Sequence, residues 1–186
     1  MLKANFITAQ EAAEKIQDGS TLCTIGMTLV SASESILKAI EKRFETVGHP
    51  ADITLVHSCG QSDRKDGIQH LAHEGLVKRI IGSHWGLQPR WMEMIANSQV
   101  EAYCLPQGQI AQLYRSMACG LPGKMSKVGL GTFIDPRVEG GKMNDRTKPL
   151  PDIVDILEYS GEEYMFYKEI PLDTVLIRGT VCDLSL

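Results

Sequence analysis

Hydrophobic and polar positions fall into alternating blocks along the first two-thirds of the chain, short apolar runs followed by stretches with helical spacing. Residues 21–25, 53–56, 77–81 and 100–104 are runs of four or five, rich in β-formers, and predict buried strands. Thr8-Ala9-Gln10-Glu11 has capping-box spacing: the threonine accepts from the amide three residues on and the glutamate reaches back, which predicts a helix over 8–17. Ser31-Ala32-Ser33-Glu34 repeats that spacing ahead of Ile36, Leu37, Ile40 and Phe44 on one helix face, and Gly48-His49-Pro50 stops the helix. A short helix is expected near 68–75, and Pro89 suits the first turn of one carrying Trp91, Met94 and Ile95. Ile110, Leu113, Tyr114 and Met117 fall at i, i+3, i+4 and i+7, with Gly120 past the end, and mark the clearest helix of the chain.

Strands alternating with helices imply βαβ crossovers, so neighbouring strands run parallel with helices over their faces. The fold class is therefore α/β, an open, mostly parallel sheet with helices on both faces. From Lys127 the pattern changes. The apolar, glycine-bearing 128–133 leads into a polar stretch, 135–151, whose length suggests a functional or mobile connection. Residues 153–159 and 164–167 flank Ser160-Gly161 as a β-hairpin, and 172–177 reads as a last strand.

The 186 residues, 43% hydrophobic and 23% charged, suit one domain over 1–186. A net charge of −4 supplies no cationic field, which argues against nucleic acid or an anionic membrane as partner. No run approaches the roughly 18 apolar residues of a bilayer span, and the start lacks a signal peptide's apolar core, so the expected location is cytoplasmic. Five cysteines (Cys23, Cys59, Cys104, Cys119 and Cys182), without a Cys-x-x-Cys pair, fit a reducing compartment rather than a disulfide framework or zinc knuckle.

In an open α/β sheet, ligands bind outside the carboxyl ends of the strands. Four strand ends lead into glycine-bearing loops: Gly26-Met27, Cys59-Gly60-Gln61, His84-Trp85-Gly86 and Gln107-Gly108. Glycine at each is what ordinary strand-to-helix turns favour, but four on one rim favour a shared site, with Gly26, Met27, Gly60, Gln61, Gly86, Gln107 and Gly108 as candidates. Gly129-Leu130-Gly131 lacks the third glycine and the helix of a dinucleotide fingerprint. His70, His73 and Glu74 share a short helix where a metal would need a further ligand, and no metal is expected. Cys59 is a nucleophile only if His57 or His84 reaches its thiol. Arg137, Lys142, Arg146 and Lys148 against Glu139 and Asp145 leave two excess positive charges in the long loop, suited to a phosphate or merely to solvent.

Several stretches in order resemble the amino-terminal (alpha) half of family I CoA-transferases, the acyl-CoA:acetate/3-oxoacid and propionate type. They are His70-Leu71-Ala72-His73-Glu74-Gly75-Leu76-Val77-Lys78-Arg79, His84-Trp85-Gly86-Leu87, Leu105-Pro106-Gln107-Gly108, Lys127-Val128-Gly129-Leu130-Gly131-Thr132-Phe133 with Asp135-Pro136-Arg137, Gly161-Glu162-Glu163-Tyr164 and Ile177-Arg178-Gly179-Thr180. The resemblance implies covalent catalysis by a glutamate in a Glu-x-Gly setting of the carboxy-terminal half, which lies outside this chain. It also implies coenzyme A as substrate rather than cofactor, short-chain acyl-CoA and carboxylic or 3-oxo acids as reactants, a carboxy-terminal (beta) half or full-length relative as partner, and a homo-oligomer. Glu74 belongs to a first-half block and is not that nucleophile. The family's first-half glycine, phenylalanine and proline signature is replaced here by Ile25-Gly26-Met27 and Ser31-Ala32-Ser33. Past Thr180 the chain departs from the family and ends in Val181-Cys182-Asp183-Leu184-Ser185-Leu186. Two other functions remain open: a non-catalytic assembly or binding module of the same fold, and a sugar-phosphate isomerase or sensor using Asp63, Lys65 and Glu74 as acid–base groups.

Overall fold

A computed structural model describes residues 5–181, so readings of Met1 to Ala4 and of Cys182 to Leu186 lie outside the described residues. Helix α1 (Ala9–Glu14) starts with the expected capping box, Glu11 N–H donating to Thr8 Oγ1 at 3.2 Å and Thr8 N–H to Glu11 Oε2 at 2.7 Å. It ends at Glu14, three residues short of the sequence expectation. Strand β1 (Thr21–Thr24) leads through a turn into α2 (Glu34–Val47). The second capping box does not form. Ser31 takes a left-handed φ of 63°, Ser33 is the N-cap with no side-chain bond, and Glu34 instead accepts from Gly67 N–H at 2.9 Å.

Strand β2 (Ile53–His57) is followed by a 3-10 helix, Gly67–Leu71, in place of the longer helix expected to Gly75. Strand β3 (Val77–Gly82), α3 (Pro89–Ala96), β4 (Glu101–Cys104) and α4 (Gln107–Ala118) complete the alternation. The long sheet has the order β4-β3-β2-β1-β8, where β8 (Thr174–Leu176) is the last strand, and every neighbouring pair is parallel.

Period-two alternation divides the core into two layers. Leu22, Leu55, Ile80 and Ala102 point toward α1, α2 and α3, whereas Cys23, Val56, Ile81 and Tyr103 point toward α4 and a small antiparallel sheet. That second sheet has the order β5-β7-β6, from β5 (Gly123–Ser126), β6 (Val154–Tyr159) and β7 (Glu162–Lys168). The β6–β7 hairpin turns on Ser160 (φ 54°) and Gly161 (φ 76°), the paired positive φ of a type I′ turn.

The connection over 135–151 is docked rather than loose, which corrects the expectation of mobility. Asn144 Nδ2 donates to the carbonyls of Ile95 and Val100, both at 2.9 Å, and Thr147 Oγ1 accepts from Ala102 N–H at 2.7 Å. With the Met143 N–H bond to Ala102 O at 2.9 Å, these contacts cover β4, an edge strand of the long sheet. Among the described residues no helix is long and apolar enough to cross a membrane.

Candidate functional site

Because the strands are parallel and in register, their carboxyl ends share one rim. Thr24 pairs with His57 and Leu176, Val56 with Ile81, and Gly82 with Cys104. The loops leaving this rim interlock. After β1, Met27 and Val30 exchange backbone hydrogen bonds of 3.0 and 2.9 Å, a turn so tight that a Cβ on Gly26 (φ 148°) would lie 2.7 Å from Val30 O. Thr28 N–H then donates to Gly60 O at 2.9 Å, and Gln61 Nε2 to Thr24 O at 2.7 Å, joining the first two loops. Gly60 packs so closely that a Cβ there would lie 2.9 Å from His84 Nε2, which brings in the third.

Of the seven sequence candidates, Gly26, Met27, Gly60 and Gln61 are therefore contiguous. Gly60 and Gln61 face inward as supports, Gln61 with no exposed surface, whereas Met27 is 57% exposed. Gly86 is exposed on the third loop. Gln107 and Gly108 sit further along, exposed at the start of α4. Leu105 N–H donates to Gly82 O at 2.9 Å and holds that end of the rim against β3.

His57 underlies the rim, a role its sequence position alone did not disclose. It is fully buried, and its Nδ1 donates to the carbonyl of Cys59 at 2.7 Å, not to the thiol. Burial pushes its pKa down to about 4, the Cys59 carbonyl bond opposing and His84 adding to the fall. The neutral ring lies over Gly82, where any Cβ would drive into it, and edge-on to Trp85 with centroids 6.2 Å apart. The condition set for a Cys59 nucleophile is therefore not met by His57, whose Nδ1 is committed to the backbone. Cys104 is no nucleophile either: its thiol donates to Ser83 O at 3.1 Å, and burial pushes it up to about 11.

At the β1 and β8 end the rim opens into a groove of about 560 Å³ between Leu29, Ser33, Glu34, Ile177 and Arg178. The sequence marks Glu34 only as a capping residue, and Ser33 as that and as part of the replaced first-half signature. The strand order β1-β8, which brings Arg178 beside them, was not encoded in any local pattern.

Elsewhere the structure disassembles candidate sites. Glu74 stands just before β3, at the amino end of the sheet, with Oε2 3.5 Å from Gln99 Nε2, while Asp63 follows β2 at the opposite end and caps Lys65 and Asp66 N–H at 3.0 and 2.9 Å. The acid–base set of Asp63, Lys65 and Glu74 is not assembled. Nor do His70 and His73 converge with Glu74; both face Glu41 of α2. Lys38 Nζ already lies between Glu34 and Asp66, at 3.1 and 3.3 Å, where a cation would compensate those carboxylates. Three of the four positive charges of the long loop are paired as well, Arg137 with Asp135 and Glu163, Lys142 with Asp152, and Lys148 with Asp145, while Arg146 Nη1 donates to Gln99 O at 2.7 Å. Arg137 holds the buried Asp135 carboxyl well below the usual range, assisted by the Gly131 and Arg137 amides, so that cluster fastens the loop and faces no phosphate.

The family profile described as Coenzyme A transferase matches residues 6–185, past Thr180, which corrects the expected departure from the family there. Caffeate CoA-transferase of Acetobacterium woodii is 42% identical over 181 residues, 97% of this chain and 34% of that protein. Acetate CoA-transferase subunit alpha of Escherichia coli (strain K12) is 24% identical over 182 residues, 98% of this chain and 73% of the subunit. The crystal structure of acyl-CoA transferase (YdiF) apoenzyme from Escherichia coli O157:H7 superposes with a TM-score of 0.91 at 35% identity, covering 96% of this chain and 35% of that one. The chain thus spans about a third of the caffeate and YdiF relatives and about three-quarters of the alpha subunit.

Proposed function

Because the chain belongs to the coenzyme A transferase family, we propose that it forms the amino-terminal half of an enzyme moving CoA between a short-chain acyl-CoA and a carboxylate or 3-oxoacid acceptor. In this reading the glutamate nucleophile comes from a carboxy-terminal half, and this chain supplies one wall of the cleft. The carboxylate attacks the thioester carbonyl and expels CoA thiolate, leaving an acyl-glutamyl anhydride. The thiolate then attacks the glutamyl carbonyl, which releases the donor carboxylate and forms a glutamyl-CoA thioester. An acceptor carboxylate reverses the two steps, so charge and atoms balance with coenzyme A as substrate and no further cofactor.

The observation that carries the reading is the start of α4. Pro106 is its N-cap and offers no side chain to the first turn, and Gln109 and Ile110 N–H both donate to Pro106 O, at 2.9 and 3.1 Å. The amides of Gln107 and Gly108 precede the helical bonding pattern and sit at the positive end of the helix dipole. A thioester oxygen that gains negative charge on attack is stabilised by such donors, and the exposed Gln107 amide adds another. Caffeate and acetate are named for the relatives; a turn displaying Met27 and Val30 accommodates an apolar acyl group.

The test supplies the remainder of YdiF, by fusion or in trans, and measures acyl transfer together with folded stability. A Cβ at Gly108 meets nothing within 4 Å, so Gly108→Val tests approach of ligand rather than folding. Transfer should fall steeply in Gly108→Val, and Gln107→Ala should lose one hydrogen bond of about 0.5–1.5 kcal/mol. Undiminished transfer in folded Gly108→Val removes the rim from the active site.

A further inference from the structure

On the α2 face of the sheet a histidine is held between carboxylates on both sides. His70 Nδ1 faces Glu41 Oε2, and its Nε2 lies 2.8 Å from Glu34 Oε1 and 3.4 Å from Asp66 Oδ1. A neutral imidazole has one N–H and one lone pair, so it can donate to only one side and presents the lone pair to a carboxylate on the other. Only the imidazolium donates to both.

The surrounding charges point the same way. Glu34, Lys38 and Glu41 approach from α2, Asp66 from the loop before the 3-10 helix, and Arg90 from α3, its Nη1 3.5 Å from Glu41 Oε1. His73 Nε2 lies 2.8 Å from that same Glu41 oxygen and 3.2 Å from Arg90 Nη2. Around His70, Glu34, Glu41 and Asp66 face two permanent cations, Lys38 and Arg90, and Glu45 of α2 adds a further carboxylate beside Glu41 and His73, so the cluster carries more negative than permanent positive charge and favours a proton on the ring.

We propose that His70 is a proton-binding latch: as imidazolium it clamps the 3-10 helix Gly67–Leu71 onto α2, and on losing its proton it releases Glu34. Glu41 keeps His73 and Arg90 as partners and is the less exposed carboxylate, 18% against 30% for Glu34, so the bond to Glu34 is the one given up. Glu34 also accepts from Gly67 N–H at 2.9 Å. The next residue, Ile68, donates to Gln61 O at 2.9 Å, and Gln61 Nε2 holds Thr24 O at 2.7 Å. The latch therefore ends at the rim. Burial opposes the charge on His70, but the Glu41 and Glu34 hydrogen bonds and charges outweigh it and lift the ring above the ordinary histidine range.

Any effect on acyl-CoA binding rests on the rim being the substrate wall; the latch itself does not, and it is tested on this chain alone. Long-range ¹⁵N–¹H spectra of the histidine rings between pH 5 and 9 read the protonation of both nitrogens, and amide exchange, corrected for base catalysis, reads Gly67 and Ile68. The expected result is a doubly protonated His70 ring at pH 6, and protection at Gly67 and Ile68 that falls about tenfold as the ring is neutralised. His70→Gln should show the lower protection at every pH, and Glu34→Gln, which keeps an acceptor without its charge, should lower the ring's midpoint. A singly protonated His70 at pH 6 overturns the proposal, as does protection that ignores the ring's titration. So does a ring spectrum that shifts on adding zinc and reverts with chelator, which would make the cluster a metal site.

Discussion

At the scale of single residues the rim is set by groups whose value lies in having no side chain or no charge. Gly82 leaves room for the His57 ring, and the ring in turn holds Cys59 O, so the chain after β2 bends where Gly60 and Gln61 meet the other loops. The energetic cost falls on acid. His57 titrates near 4 in the folded chain, against 6.5 ordinarily, so between those values the unfolded chain binds more protons and folding weakens as pH drops. The loss from this group should approach about 3 kcal/mol between pH 6.5 and pH 4 and then level off. Urea unfolding across that range checks it. His57→Asn, which places an amide near the Nδ1 position without a titrating ring, should flatten that part of the acid limb even if its overall stability is lower. An unchanged slope in that variant would show that other groups control the acid response. His70 has the opposite sign: its raised pKa gives stability that is complete below about 6.5 and lost as pH rises through the folded value.

At the scale of elements, β4 depends on a segment far from it in sequence. Asn144 Nδ2 satisfies the carbonyls of Ile95 and Val100, and removing it leaves both buried acceptors without that donor. Asn144→Ala should cost about 2–3 kcal/mol, and it should raise amide exchange over 140–150 before that of β2 or β3. A uniform loss of protection would instead mean that the loop and sheet unfold as one unit. This docking explains what could and could not be read locally. Strands β1 to β4 and helices α2, α3 and α4 were legible because their apolar periodicity is imposed by burial within a few residues of themselves. The short polar strand β5, Gly-Lys-Met-Ser, carries no such pattern, and it exists because Met125 pairs with Phe166 across the small sheet. The Ser31–Glu34 capping box failed for a related reason. Glu34 has stronger partners in Gly67, His70 and Lys38 than the amide of its own helix, and a tertiary contact outcompeted a local one. The candidate site was legible to the same depth: strand-end glycines marked the rim, whereas His57 and Arg178 depended on which strands became neighbours.

At the scale of the whole molecule, the rim combines polar donors with apolar surface that no described part of the chain covers. Met27 is 57% exposed, Val30 67% and Ile177 74%, and Leu29 and Ile177 line one groove while Leu29 and Val30 line the next. Exposed large apolar side chains gathered at one end of a sheet are typical of a surface that meets another. The chain spans about a third of its YdiF relative, and in the proposed function this patch faces the half bearing the nucleophile. Two consequences follow for the purified chain. It should transfer no CoA, and hydroxylamine-sensitive acyl or CoA adducts should be absent from all its glutamates, Glu74 included, because that residue lies at the wrong end of the sheet. It should also self-associate through Met27, Val30 and Ile177, because two copies can bury the patch that a carboxy-terminal half would otherwise cover. Light scattering over a concentration series should give a rising mass. Met27→Ser with Val30→Ser and Ile177→Thr should return it to that of a monomer without changing the circular dichroism, and adding the remainder of YdiF should compete with self-association. A wild-type chain that stays monomeric at millimolar concentration would overturn the reading of this patch as a surface that meets a second half, and would leave Met27 and Val30 with the apolar acyl group as their only proposed occupant.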